Sequence, residues 1–451
     1  MQGGTKARTG AYEAVREDAG LKLTPLIDGS GAGGPMLTPL AIAWYRLPQT
    51  YKEGDRTMPY RCISADSHLE VRPDRYTKRM PPKYRELAPR VITLQDGTLA
   101  VLQEGKPIER LIVNISCGLP YEERRPYDAL PGENYETSPG TGSPEQRLRE
   151  QDADGVDAEV LFAGNVGPAY WRGIKSDEAF KAVVRAYNDW LAEEYCSVAP
   201  NRLIGIGAIP MTNVDDAIAE LEHCAKIGLK AVALNSFPGG QSFPTPQDDK
   251  FWAAAVDLRM PLTVHVQFGF PPRGAPPPPA PAFKYPKQPP ADVPVPDMVD
   301  RFNKYGFRGS IHIVQLIWAG VFDRFPKLSI YIAEVQIGWI PNWVDQLENE
   351  YGRQRYWVER VLGLPQLKRS PAEYVQEHCY WGFNRNPAGV RIMRQEMGVD
   401  RVMWANDFPH LESDWPNSRR VIEENFVGVS EHEVYQMITG NAVRFFHLED
   451  T

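Results

Sequence analysis

Eight histidines are spread through the 451 residues: His68, His223, His265, His312, His378, His410, His432 and His447. Two of them close apolar runs of strand type, His68 in ISADSHLE and His265 in LTVHV. Asp66 stands two residues before His68, and residues two apart on a strand share a face, so both side chains can point into one site. A third run, VMWAN, leads directly into Asp407. Two imidazoles and two carboxylates form a donor set suited to a divalent cation. Taken singly, each of the four reads first as a hydrogen-bonded core histidine or a structural acid. Taken together, each at the end of a β-type run, Asp66, His68, His265 and Asp407 read as metal ligands.

Other polar residues are placed less specifically. His410, three residues after Asp407, is a candidate for orienting substrate or supporting the site, or for capping a loop. Asn165, closing LFAGN, is a candidate substrate contact. His312, in GSIHIVQL, opens a helix-like stretch that could face the site, with either a catalytic or a packing role. His223, His378, His432 and His447 fall in helical, terminal or strand-opening segments and read as packing, as do Trp339, Trp404 and Trp415.

The elements that must position these residues alternate between short apolar runs and amphipathic stretches, the pattern of repeated β-α units. Eight runs are expected as strands: 61–65, 158–163, 203–209, 230–234, 261–266, 328–333, 378–381 and 401–404. Helical stretches such as 177–195 and 214–227 separate them. Eight such units predict an α/β protein of the (β/α)₈ (TIM) barrel type, whose chemistry sits at the C-terminal ends of the strands. Residues 1–58 lack a sustained period and read as a partly irregular N-terminal arm, with the barrel over 59–451. Two insertions are expected. One, at about 69–151, separates the first two strands. The other, at 271–296, holds 12 prolines in 26 residues and favours stiff, extended geometry. Beginning five residues after the fifth run, it is expected as a lid or subunit-contact loop on the catalytic face.

Composition narrows the function. With 50 Lys and Arg against 58 Asp and Glu, the formal charge is −8. Without a basic cluster the chain lacks the cations that neutralise phosphates, so no nucleic-acid partner is expected. No apolar run reaches the roughly 20 residues needed to span a bilayer, and the opening MQGGTKARTGAYEA is not of signal-peptide type. The five cysteines, Cys62, Cys117, Cys196, Cys224 and Cys379, contain no Cys-x-x-Cys pair. They are expected as free thiols in a reducing cytoplasm.

The segments ISADSHLE, LTVHVQFG, GVFDRFPKLSIYIAEVQIGWIPNWVDQLE, DRVMWANDFPHLESDWPNS and ITGNAVRFF resemble, in order, those of the amidohydrolase-related proteins grouped with aminocarboxymuconate-semialdehyde decarboxylase. AYNDWLAEEYCSVAPNRLIGIGAIPM is similar to the family's second-to-third-strand segment, and the likeness runs from about Arg61 to Leu448. The resemblance implies a distorted (β/α)₈ barrel with one divalent metal, Zn²⁺ or Mn²⁺, held by Asp66, His68, His265 and Asp407. The family's first strand ends in His-x-His or Glu-x-His. Asp66 replaces that first residue with a shorter carboxylate, whose hard oxygen favours Mn²⁺ without excluding Zn²⁺. Relatives often carry a proton-relaying histidine at the end of strand six. Here IAEVQIGWIP puts Glu334 there, as a general acid or base, a further ligand or a structural acid. The activity implied is nonoxidative decarboxylation of a small aromatic or unsaturated carboxylate, with Asp407, Glu334 and His312 as catalytic candidates. The alternatives are hydrolysis of an amide, lactone or C–C bond by a water that the metal activates, with Asp407 taking a proton, and an inactive scaffold barrel. A homodimer is expected by analogy with the family.

Overall fold

The computed structural model describes residues 8–9, 12–17, 20–25, 51–53, 56–58, 60–110, 117–124, 138–164, 167–266, 286–287 and 308–450. Asn165 and all of the proline-rich stretch except Pro286 and Lys287 therefore lie outside the described residues. By internal contacts the chain separates into Met1–Arg46 and Leu47–Thr451. Within the first unit, Arg8–Thr9, Tyr12–Glu17 and Gly20–Pro25 pair as an antiparallel sheet, where the sequence pattern indicated no strand.

In the second unit eight strands form one parallel sheet in sequence order. They are β1 (Ile63–Leu69), β2 (Ala158–Ala163), β3 (Leu203–Ala208), β4 (Ala231–Ala233), β5 (Leu262–His265), β6 (Ile330–Ala333), β7 (Cys379–Phe383) and β8 (Val402–Trp404). Helices intervene: α1 (Pro144–Asp154), α2 (Asp177–Trp190), α3 (Val214–Lys226), α4 (Asp249–Asp257), α5 (Arg308–Trp318), α6 (Ile340–Leu362), α7 (Pro371–His378) and α8 (Ser418–Asn425). This is the expected (β/α)₈ barrel.

The core explains the order. Ile63 and Ala65, Ala158, Val160 and Phe162, Ile204 and Ile206, and Tyr331 and Ala333 step by two along their strands into one buried cluster. That period places them on a common face. Ala442, Val443, Phe445, Phe446 and Leu448 pack against the same cluster, so the C-terminal segment is part of the core.

Two of the boundary differences change where a histidine falls. β1 starts at Ile63 and continues to Leu69, so Asp66 and His68 belong to the strand rather than following it. The reason is an extra residue: Ser64 pairs with Glu159 and Ser67 with Leu161, a bulge that lets pairing with β2 resume. His378 ends α7 rather than opening β7; its Nδ1 lies 2.7 Å from the Leu328 carbonyl, and its ring stacks on Phe322.

The insertion between β1 and β2 contains an antiparallel sheet, Arg90–Thr93, Leu99–Gln103 and Lys106–Arg110, followed by α1. Ser143 caps α1, accepting from the Gln146 N–H, and Gly155 ends it in the left-handed conformation (φ 76°). All five cysteines are free and buried. Among the described residues no helix is long and apolar enough to cross a membrane.

Candidate metal centre

The barrel closes where the candidate ligands stand. The Asp407 N–H donates to the Asp66 carbonyl at 3.1 Å, and the His68 N–H donates to the Phe408 carbonyl at 2.7 Å. These bonds join β1 to the segment that follows β8. The strand ends that carry the other candidates leave the sheet through strained backbone. Val266, next to His265, has φ 57°, Glu334 has φ 57° and Asp407 has φ 52°. Left-handed geometry is uncommon for such residues and is kept where the surrounding structure over-determines it, frequently at functional sites.

This framework gathers four of the predicted side chains. His68 Nε2 lies 3.0 Å from His265 Nε2, 3.4 Å from Asp66 Oδ1 and 3.2 Å from Asp407 Oδ1. His265 Nε2 is also 3.5 Å from Asp66 Oδ2 and 3.4 Å from Glu334 Oε2. Donors bonded at about 2.0–2.2 Å to one ion, at tetrahedral to octahedral angles, stand roughly 2.8–3.6 Å apart. The observed spacing matches that range. His68 Nδ1 and Asp407 Oδ2 are buried without a hydrogen-bond partner among the described residues, which an apolar interior does not tolerate cheaply. The donor set therefore fits a divalent cation.

Asp66, His68 and His265 offer one group of converging atoms, His68, Asp407 and His410 a second, and Glu334, Asp407 and Glu412 a third. The three overlap through His68 and Asp407. His410 bridges two carboxylates, with Nδ1 at 3.1 Å from Asp407 Oδ1 and Nε2 at 2.9 Å from Glu70 Oε1. Burial works against charge on this imidazole, but Asp407 and Glu70 outweigh it and hold the ring well above the ordinary histidine range. Burial likewise pulls the Asp407 carboxyl up, yet His410 and His68 prevail and keep it well below the usual carboxylate range. For His68, burial comes first and the neighbouring His410 second, and together they lower its proton affinity against the pull of Asp407.

His312 does not enter these three groups. It lies on α5, its Nδ1 2.8 Å from Gln315 Oε1 and its ring edge-on to Phe237, 6.0 Å between centroids.

Several residues that hold the site carried no signal in the sequence. Asn406 Oδ1 accepts from Ser64 Oγ and Ser67 Oγ, both at 2.9 Å, while its Nδ2 donates to Asp154 Oδ2 at 3.1 Å. Arg147, wholly buried on α1, donates through Nε to Glu159 Oε2 at 2.5 Å and through Nη1 to the His68 carbonyl at 2.9 Å. Its Nη2 reaches the Phe408 carbonyl at 3.4 Å. Glu70, within the ISADSHLE segment, stood in view, but its partner is 340 residues away. A cavity of about 180 Å³ opens beside the centre, lined by His68, Phe162, Pro168, Ile206, Asn235, His265 and His410 together with small residues at the ends of β2, β3 and β4.

A parallel eight-stranded barrel with imidazoles and carboxylates converging at its strand ends defines the class. The chain belongs to the amidohydrolase family, whose sequence model matches residues 130–448. That match begins after β1, so it includes His265, Glu334, Asp407 and His410 but not Asp66 or His68. The chain is similar to the gamma-resorcylate decarboxylase of Rhizobium radiobacter, 25% identical over 321 residues, covering 67% of this chain and 86% of that protein. Its fold is similar to that of an amidohydrolase from Mycobacterium avium subsp. paratuberculosis (TM-score 0.61, 15% identity, 86% of this chain and 100% of that one). It is also similar to 5-carboxyvanillate decarboxylase from Novosphingobium aromaticivorans, solved with manganese and 4-hydroxy-3-methoxy-5-nitrobenzoic acid (TM-score 0.53, 20% identity, 67% and 79%).

Proposed function

We propose that the chain is a divalent-metal-dependent decarboxylase of a small aromatic or unsaturated carboxylate, using Mn²⁺ in preference to Zn²⁺. The observation that carries this reading is the set of donors around His68 Nε2, with His265 Nε2 at 3.0 Å, Asp407 Oδ1 at 3.2 Å and Asp66 Oδ1 at 3.4 Å, beside a cavity of about 180 Å³. The relative that decarboxylates resorcylate and the manganese-bound carboxyvanillate decarboxylase support it.

Asp66, His68, His265 and Asp407 would hold the ion. When bound, it would supply a Lewis acid that withdraws charge from the substrate's oxygens. Phe162, Ile206 and the small residues at the ends of β2, β3 and β4 offer an apolar wall to a flat ring and exclude water from it. Asn235 offers a polar contact in the lining. Glu334, buried at the end of β6, is the group that protonates carbon. The bond between ring carbon and carboxylate breaks, its electron pair stays on the ring carbon, and that carbon takes the proton. The balance is one carboxylate plus one proton giving one arene and one carbon dioxide.

The test is protein purified without chelator, analysed for bound metal, loaded with Mn²⁺ and assayed against hydroxybenzoates, amides and lactones. Release of carbon dioxide, lost in folded His265→Ala and Asp407→Asn variants, is the expected result. Acid release without carbon dioxide would replace the reading with hydrolysis. Absence of stoichiometric metal, or full activity in either variant, would sink it.

A further inference from the structure

Asp407 is not oriented by its own backbone alone. Its Oδ1 meets His410 Nδ1, and the far nitrogen of the same ring meets Glu70 Oε1. One imidazole thus ties the residue after β1 to the segment after β8, between two carboxylates with 0% exposure. The His410 ring also lies face-on against His68, 4.0 Å between centroids and 23° between planes. Room for Glu70 is made by Gly164 at the end of β2: a Cβ there would sit 2.6 Å from Glu70 Oε1 and 2.5 Å from the Leu69 carbonyl. The second Asp407 oxygen, Oδ2, is buried and without a hydrogen-bond partner among the described residues.

We propose that Glu70 is a positioning residue that acts through His410 to lock the Asp407 carboxylate, fixing the orientation in which it meets a divalent cation beside His68. This rests on the reading of the centre as a metal site. The terminal torsion of an aspartate is broad, so an unheld carboxylate would sample orientations that present the wrong oxygen. Contacts of this kind behind a ligand set its direction, and losing one typically weakens metal affinity about 10–100-fold. A residue that merely fills space at the end of β1 would alter stability without changing the state of the His410 ring.

The experiment uses the full chain as wild type, Glu70→Ala and Glu70→Gln, with ¹⁵N-labelled histidine and His410→Gln to assign the ring signals. In metal-free protein, Glu70→Ala is expected to shift the His410 ring nitrogens. Competition with a fluorescent chelator is expected to show Mn²⁺ affinity falling about 10–100-fold. Glu70→Gln, which keeps an oxygen acceptor in place, is expected to lose less. Wild-type Mn²⁺ affinity and unchanged His410 signals in folded Glu70→Ala overturn the proposal. Should Glu70→Ala not fold, the same two results in Glu70→Gln overturn it. If wild-type protein itself takes up no Mn²⁺, the reading of the centre falls and takes the proposal with it. Wild-type uptake with unaltered Glu70 variants removes the proposal alone.

Discussion

Glu334 is held in place from two sides. Its own backbone turns through φ 57°, and the next residue, Val335, donates its N–H to the Gly382 carbonyl at 3.3 Å. Gly382 lacks a side chain where one would lie 2.5 Å from Tyr331 Oη and 3.1 Å from the Glu334 nitrogen. A carboxyl carried on backbone fixed this firmly, 3.4 Å from His265 Nε2, is suited to delivering a proton at one position. Removing its acidity without its shape should therefore reduce kcat about 10²–10⁴-fold, the usual contribution of a general acid, while metal content stays intact. The check is a pH–rate profile of Glu334→Gln at full Mn²⁺ occupancy. A profile and rate matching the wild type would take the proton role away from Glu334.

At the scale of elements, the ligands depend on the joint between β1, β2 and the segment after β8. Arg147 of α1 braces that joint by pairing with Glu159 and donating to the carbonyls of His68 and Phe408. Both members of the ion pair are almost wholly buried. Removing one partner leaves an uncompensated charge in the interior, which destabilises by about 3–5 kcal/mol. Arg147→Ala should therefore lower the denaturant midpoint by an amount corresponding to that range. Arg147→Met combined with Glu159→Leu, which removes both charges, should recover much of the loss. A single variant that unfolds at the wild-type midpoint would show that the pair does not brace the barrel.

For the whole molecule, the candidate centre is a contract between distant parts of the chain. Asp66 and His68 come from β1, His265 from β5, and Asp407 from beyond β8, so an ion bound there would link both ends of the barrel sequence. Binding that requires the folded arrangement stabilises it by linkage, about 2.7 kcal/mol at a free metal concentration of 100 times Kd. Mn²⁺ should raise the melting temperature, and chelator should return it to the metal-free value. Asp407→Asn should show a much smaller rise. A melting temperature insensitive to Mn²⁺ in the wild type would argue against a site that needs the fold.

The chain's own pattern was enough to determine the barrel and its direction. Buried parallel strands are short and nearly continuous apolar runs, which is why β2 through β8 were legible within a few residues. It also marked out Asp66, His68, His265 and Asp407, because they interrupt or end those runs with groups unsuited to an apolar interior. The tertiary structure alone decided how those ends meet. The bulge at Ser64–Ser67 keeps Asp66 and His68 inside β1, and it arises from pairing with β2, about 95 residues further along. The supports from Arg147, Asn406 and Glu70 are likewise contacts between residues far apart in sequence. Local periodicity reports which face a residue takes. It carries no record of which distant polar group will satisfy it once water is excluded, and that pairing is what orients His410 against Asp407.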